Sequence, residues 1–252
     1  MLDLIKRIKE KHELNSLPDS LVEKTLKDYF EKNKLNHPKK EKELKLIIKD
    51  VRSELRKYTG QYATKDNLKR RQKLLDKKDF INLLSEHKST QERLGDYSLV
   101  KNIINDLNPK SILDMGCGIN PIALATPQII YHAYDINDND LEIVRQFFKK
   151  NKIVGDIHHK DIRHEAVFPK VDLCIIFKVL DILGDKKYEI TKDLLEKVDA
   201  KYFLISFATR TLTGKKMNSP YRRWFENILK NLNYNYEIKR TNQELFYILK
   251  KV

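Results

Sequence analysis

Ser111-Ile-Leu-Asp-Met-Gly116-Cys-Gly118-Ile-Asn-Pro121 is the stretch on which the reading of this chain turns. Ser111–Met115 has the length and apolar make-up of a buried strand and carries an acid near its end. The turn that follows holds two of the seven glycines in 252 residues. Backbone leaving a parallel strand can approach a ligand closely only where no Cβ intervenes. A phosphate-binding turn would continue to a third glycine and present a helix N-terminus to a pyrophosphate. Asn120-Pro121 stands there instead. The turn argues against a dinucleotide and suits a nucleoside without phosphate.

Downstream, strands and helices alternate. Ile129–Ile136 reads as a second strand, also ending in an acid, and Asp138–Lys150 as a helix with Leu141, Val144, Phe147 and Phe148 inward. Val171–Phe177 is a continuous apolar run, as at the centre of a parallel sheet. Lys187–Val198 reads as a helix and Lys201–Phe207 as a strand. Ser219-Pro220 is expected to cap and start a helix containing Trp224 and Phe225. Tyr234–Arg240 and Glu244–Lys250 form a closing hairpin about Thr241-Asn-Gln. The pattern predicts a doubly wound α/β sheet with an antiparallel edge.

Upstream the chain reads as helices. Ser89-Thr-Gln-Glu92 has capping-box spacing, and its helix is expected to run through Leu94, Val100, Ile103 and Leu107 to Asn108-Pro109. Ser20–Glu23 has the same spacing, Pro38 is expected to open a further helix, and Gly60 to close it. The domains drawn from this reading are 1–88, all helical, and 89–252, Rossmann-like.

Lys and Arg number 50 against 36 Asp and Glu, a formal charge of +14. Residues 1–90 hold 24 basic and 15 acidic side chains, and residues 52–78 hold 10 and 3. Such a stripe is expected of a protein that binds a polyanion, nucleic acid foremost, and also of a merely solvated Lys-rich surface. In Asn67–Leu75 the apolar positions leave Lys69, Arg70, Arg71 and Lys73 on the outer face, as candidates for RNA contact. The two cysteines, 57 residues apart, form no disulfide framework or zinc module. No apolar run reaches membrane-spanning length and the charged N-terminus is no signal peptide, so a cytoplasmic protein without a membrane partner is expected. His158 and His159 point to opposite faces of a strand, and no metal site is expected.

Asp135 lies 19 residues after Gly116, near the spacing of a ribose-binding acid. Asp161 follows the expected third strand, placed to accept from an adenine amino group with Ile162 against the ring. Asp114, Gly116, Gly118, Ile136 and Phe177 complete the strand-end set expected around the nucleoside. Each acid alone reads equally well as a turn or helix-capping residue. Together with the glycines they point to S-adenosylmethionine.

The chain resembles the aminoglycoside-resistance ribosomal RNA methyltransferases that modify guanine N7 in the small-subunit decoding site, from about His87 onward. The resemblance rests on His87-Lys-Ser-Thr-Gln-Glu-Arg93-Leu, Leu113–Leu124, Tyr131-His-Ala-Tyr-Asp-Ile136, Phe177-Lys178-Val-Leu, Ile205-Ser-Phe207 with Thr211-Leu-Thr-Gly214, and Tyr221-Arg-Arg-Trp-Phe-Glu226. It implies a class I methyltransferase fold with a seven-stranded sheet, and a helical N-terminal domain that grips the ribosomal subunit. It implies that Arg93 holds the carboxylate of the cofactor's methionine end, and that Lys178 and the loop after Ser206, with Arg210, border the target base. This chain departs from the family pattern at Ala208-Thr209-Arg210 and at Lys216–Pro220.

Guanine N7 carries a free lone pair and no proton, so no general base is expected. Segment 207–223 has five basic residues, Arg210, Lys215, Lys216, Arg222 and Arg223, and no acid. Such a loop suits phosphate contact while a base is presented, with Met217 against the base; a solvated loop is the plainer reading. The expected partner is ribosomal RNA or the assembled small subunit, bound by a monomer. Two other readings stay open: a transfer RNA methyltransferase, and a non-catalytic RNA-binding assembly factor with a vestigial cofactor site.

Overall fold

The computed structural model describes residues 1–35, 40–59, 65–183, 188–210, 214–217 and 220–251. The expectations for Pro38, Gly60, Thr211–Thr213 and Ser219 lie outside the described residues. Helices α1 (Leu2–Lys9), α2 (Asp19–Lys32) and α3 (Glu41–Thr59) pack around their own apolar cluster, with Ile8, Leu14, Val22, Leu26, Val51 and Leu55 buried. Two elements, α4 (Lys65–Asp76) and α5 (Phe80–Ser85), lead into α6 (Lys88–Arg93) and α7 (Tyr97–Leu107). Then come β1 (Ser111–Met115), α8 (Pro121–Leu124), β2 (Ile130–Asp135), α9 (Asp138–Asn151), β3 (Ile157–His159) and β4 (Val171–Phe177). The chain ends with α10 (Glu189–Lys197), β5 (Ala200–Ala208), α11 (Arg223–Asn231), β6 (Tyr234–Arg240) and β7 (Glu244–Lys251).

The strands form one sheet in the order β3-β2-β1-β4-β5-β7-β6. All neighbours are parallel except β7, which runs antiparallel to both β5 and β6. The period-two alternation of a strand sends Ile112 to one apolar layer and Leu113 to the other. Strand order reverses between β1 and β4, and a ligand crevice opens at the carboxyl ends of the strands there. The glycine turn sits at that point.

Four details differ from the sequence expectation. Packing divides the chain earlier than residue 88: Leu75, Leu83 and Leu84 join the core of the sheet, and the separate helical cluster ends at Leu55. That cluster receives Ile136, a strand-end residue expected at the cofactor. Neither capping box forms. Asp19 already lies in α2, so Ser20 is inside it, and Thr90 bonds the carbonyls of Leu84 and His87 while Ser89 lies inside α6. The expected helix 89–107 breaks at Gly95, where a 3₁₀ turn over Leu94–Asp96 separates α6 from α7. Helix α11 starts at Arg223 rather than at Pro220, because the Arg222 backbone and side chain are engaged before it.

Candidate active site

The turn after β1 needs its glycines. Gly116 has φ +67° and Gly118 φ +49°. A Cβ on Gly116 would stand 2.4 Å from Val179 Cγ2, and one on Gly118 3.0 Å from the His87 ring. The amides of Gly116 and Cys117 both donate to the Tyr134 carbonyl, fastening the turn to the end of β2. Cys117 and Cys174 are buried.

Asn120 accounts for the departure from a third glycine. Buried, it accepts from Tyr97 Oη at 2.8 Å and donates to Asp114 Oδ2 at 2.9 Å. Tyr131 Oη donates to the same Asp114 oxygen at 2.6 Å. Burial pushes the Asp114 carboxyl up to about 6. Asp114 thus braces the turn from within.

Asp135 fits its expected role better. Its Oδ2 accepts from the Gly118 amide at 2.7 Å and its Oδ1 from the Asn137 amide at 2.8 Å. Each oxygen keeps a lone pair, and the side chain is partly open to solvent. Two hydroxyls of a ribose would find two acceptors there. Burial, then the nearby Asp140 charge, pushes this carboxyl up to about 7. Asp161 is committed differently: Arg163 grips both its oxygens, at 2.9 Å and 2.6 Å, which brings its carboxyl below the usual range against the opposing effect of burial. Ile162 is buried beside it.

The groups expected at the methyl-transfer end converge on a residue that the sequence reading missed. Glu244, fully buried at the start of β7, receives Ser206 Oγ at 2.5 Å and Arg93 Nη2 at 3.1 Å on Oε2. Lys178 Nζ lies 3.1 Å from its Oε1 and donates to Glu92 Oε2 at 2.8 Å. The Arg93 guanidinium also lies over the Phe177 ring, 4.4 Å from its centroid. Arg93, Lys178, Ser206 and Phe177 are therefore brought together, around two carboxylates rather than one substrate. Lys178 holds φ +59°, a conformation rare outside glycine that aims its side chain into this cluster. An acid opening the apolar run Leu245–Leu249 was the available signal, but only strand register shows where it points.

Two RNA-binding expectations fail. Arg71 is buried, paired with Asp140 at 2.5 Å and bonded to the Glu86 carbonyl at 2.7 Å. It pins α4 to α9 instead of facing outward. Arg222 is also buried. It pairs with Asp181 at 2.7 Å and reaches the Pro220 and Ala208 carbonyls, so it braces the target loop from inside. Lys69, Arg70, Lys73, Lys215, Lys216 and Arg223 are exposed, Arg70 beside Glu86. Arg210 bonds the carbonyls of Asn242 and Gly214 and pairs its backbone with Lys216. This closes the loop beside a hollow of about 580 Å³ lined by Asp96, Thr209, Lys216, Met217, Arg240, Thr241 and Asn242. Trp224 stacks on Tyr188 at 4.0 Å and Phe225 is buried, as core residues.

A second basic surface lies on α3 and takes in Arg52 and Arg56 from the start of the 52–78 stripe. Lys45, Lys49, Arg52 and Arg56 fall on one stripe of α3 and, with Arg7, Lys11 and Glu10, line a groove of about 340 Å³ in which Arg7, Arg52 and Arg56 pair with Glu41, Glu10 and Glu13. Helical spacing on α3 was its readable signal.

The sheet order, the paired glycines at the switch point and an acid ending β2 define a class I methyltransferase. Residues 77–248 match the ribosomal RNA methyltransferase (FmrO) family, and the chain belongs to it. It is 30% identical over 212 residues to a Serratia marcescens protein named 16S rRNA (guanine(1405)-N(7))-methyltransferase, covering 82% of this chain and 84% of the relative. The fold is similar to the methyltransferase RmtF, solved with S-adenosyl-L-homocysteine: TM-score 0.85, 22% identity, 100% of this chain and 98% of that one. It is also similar to RmtB: TM-score 0.83, 24% identity, 99% and 98%.

Proposed function

We propose that the protein transfers a methyl group from S-adenosylmethionine to guanine N7 in the decoding region of small-subunit ribosomal RNA. The observation that carries this reading is the match to the Serratia protein across four-fifths of both chains. When bound, the cofactor supplies an electrophilic methyl on sulfonium. The N7 lone pair forms the new bond as the sulfur–carbon bond breaks and its electrons stay on sulfur. No proton leaves in that step, so the protein's task is alignment and exclusion of water.

Asp135 accepts from the ribose hydroxyls. Arg93, held against Phe177 by Glu244, faces the methionine carboxylate. Lys178 and the 206–217 loop, with Arg210 and Met217, frame the flipped guanine. Lys69, Lys73, Lys215, Lys216, Arg223 and the α3 groove contact phosphates, and the N-terminal helices dock on folded RNA by shape and charge. The protein acts as a monomer, with the RNA closing the open side of the site. No described helix is long and apolar enough to cross a membrane.

The test is transfer of labelled methyl to isolated small subunits, to their naked RNA and to transfer RNA. Label on the subunit, with borohydride–aniline scission at one decoding-region guanine, supports the reading. Label on transfer RNA alone discards the target.

A further inference from the structure

His158 and His159, adjacent on β3, point to opposite faces of the strand. Folding separates those two and makes another set. His159 Nε2 turns to the Ile136 carbonyl at 3.0 Å. His158, on the edge strand β3, comes instead to His132 on β2 and to Asp156 just before β3. One ligand atom from each of the three lies within 4.8 Å of the others, the one such group among the described residues.

Backbone register builds this set. Tyr134 stands opposite His158 in the parallel pair, which brings His132 level with Asp156. The amides of Tyr131 and Ala133 donate to the carbonyls of Val154 and Asp156, both at 2.9 Å, bracketing the acid's backbone. Gly155 makes that approach possible: at φ +146°, a Cβ there would lie 1.9 Å from the Tyr131 carbonyl oxygen. The His158 ring stacks on Tyr134 with centroids 4.2 Å apart. Both imidazoles and the carboxylate are thus carried on paired backbone, not on loose loop.

The chemistry of the set is that of a transition-metal site. His132 Nδ1 is out of contact with water. It lies 3.3 Å from Asp156 Oδ2. Tetrahedral zinc with bonds of about 2.0–2.1 Å spaces its ligands about 3.3–3.4 Å apart. Imidazole nitrogen with one carboxylate suits zinc or cobalt rather than calcium or magnesium. The Asp156 side chain is 67% exposed, so a water can complete the shell.

We propose that His132, Asp156 and His158 bind one zinc-class divalent cation, with water as the fourth ligand. The cation ties edge strand β3 to β2. Asp135 ends β2 and Asp161 follows β3, so the clamp joins the two strands that carry these acids.

The test uses the untagged full chain, stripped with chelator. ZnCl₂ is titrated by calorimetry and CoCl₂ by visible absorption. One ion per chain is expected, with cobalt bands of a four-coordinate site and a melting temperature raised by zinc. Asp156→Asn alters a largely solvated side chain and leaves the fold testable; it and His158→Gln are each expected to weaken binding at least tenfold. No saturable binding to the parent, or unchanged affinity in both variants, overturns the proposal.

Discussion

Replacing Asp135 with asparagine tests how the site sets stability against binding. The folded protein holds this carboxyl near 7, above the unfolded value of about 3.9. A raised value means that the folded state binds the proton more tightly. The resulting stability is complete below about pH 4 and is lost as pH rises through about 7. Between pH 5.5 and pH 8.0 the unfolded chain is already ionised, while the folded carboxyl passes from largely protonated to ionised. The parent loses about 2 kcal/mol over that interval on this account, a ceiling because the carboxylate is partly open to water. For a chain of this size that is about 4–8 °C in melting temperature. Asparagine cannot ionise, and the variant lacks this component. The assay is thermal unfolding of ligand-free parent and Asp135→Asn at both pH values, read as a double difference so that Asp114 contributes to both proteins. Cofactor affinity should move the opposite way. Losing a charge-assisted hydrogen bond worth about 1.5–3 kcal/mol weakens binding by roughly 10- to 150-fold at pH 8. Parallel pH profiles for the two proteins would refute the placement of this charge, and equal cofactor affinity would remove Asp135 from the site.

Gly116→Ala forces a Cβ into Val179 at a left-handed position; melting should fall by the equivalent of at least about 1–2 kcal/mol, with cofactor binding lost in calorimetry. Arg71→Ala leaves Asp140 buried without its partner and should cost about 3–5 kcal/mol in denaturant unfolding. Lys69→Ala and Lys73→Ala should instead leave stability within about 0.5 kcal/mol, while subunit binding weakens and its salt dependence becomes shallower. Glu244→Gln removes the charge shared by Arg93 and Lys178. It should lower both melting temperature and cofactor affinity, and a variant with unchanged affinity would uncouple Glu244 from the site.

Local signals carried the strands. Val171–Phe177 and Tyr234–Arg240 appear with the residue bounds read from apolar runs and turn residues. The glycine turn and Asp135 were legible because a parallel strand, its turn and the next strand's end are adjacent by chain connectivity. What depended on distant packing was not. Arg71 looked like one of four outward cations, yet Asp140, 69 residues away, draws it inward. Arg222 was read as loop charge, yet Asp181 holds it. The capping boxes had the right spacing, but each helix starts before its serine. Periodicity ran through Gly95 without registering that a 3₁₀ turn there would redirect the chain.

Glu244 shows why the closing hairpin belongs to the site as well as to the sheet. In a purely parallel sheet, β5 would be followed by a strand delivering its own carboxyl end to this crevice. Antiparallel β7 delivers its amino end instead, and its first residue is the acid. There Glu244 faces Ser206 from β5, Lys178 from the end of β4 and Arg93 from α6. Glu244 is shared by Arg93 and Lys178, and Lys178 is shared in turn with Glu92, so each buried charge has a partner. Pairing matters because an unpaired charge at this depth would cost several kcal/mol, whereas a paired one can be shared with an incoming charged ligand. The strained Lys178 backbone and the elevated Asp135 carboxyl lie at the same end of the sheet. Backbone and charge there oppose folding, as expected where side chains are pre-arranged for a ligand and not for packing. The apolar layers beneath supply the stability that holds this arrangement in place.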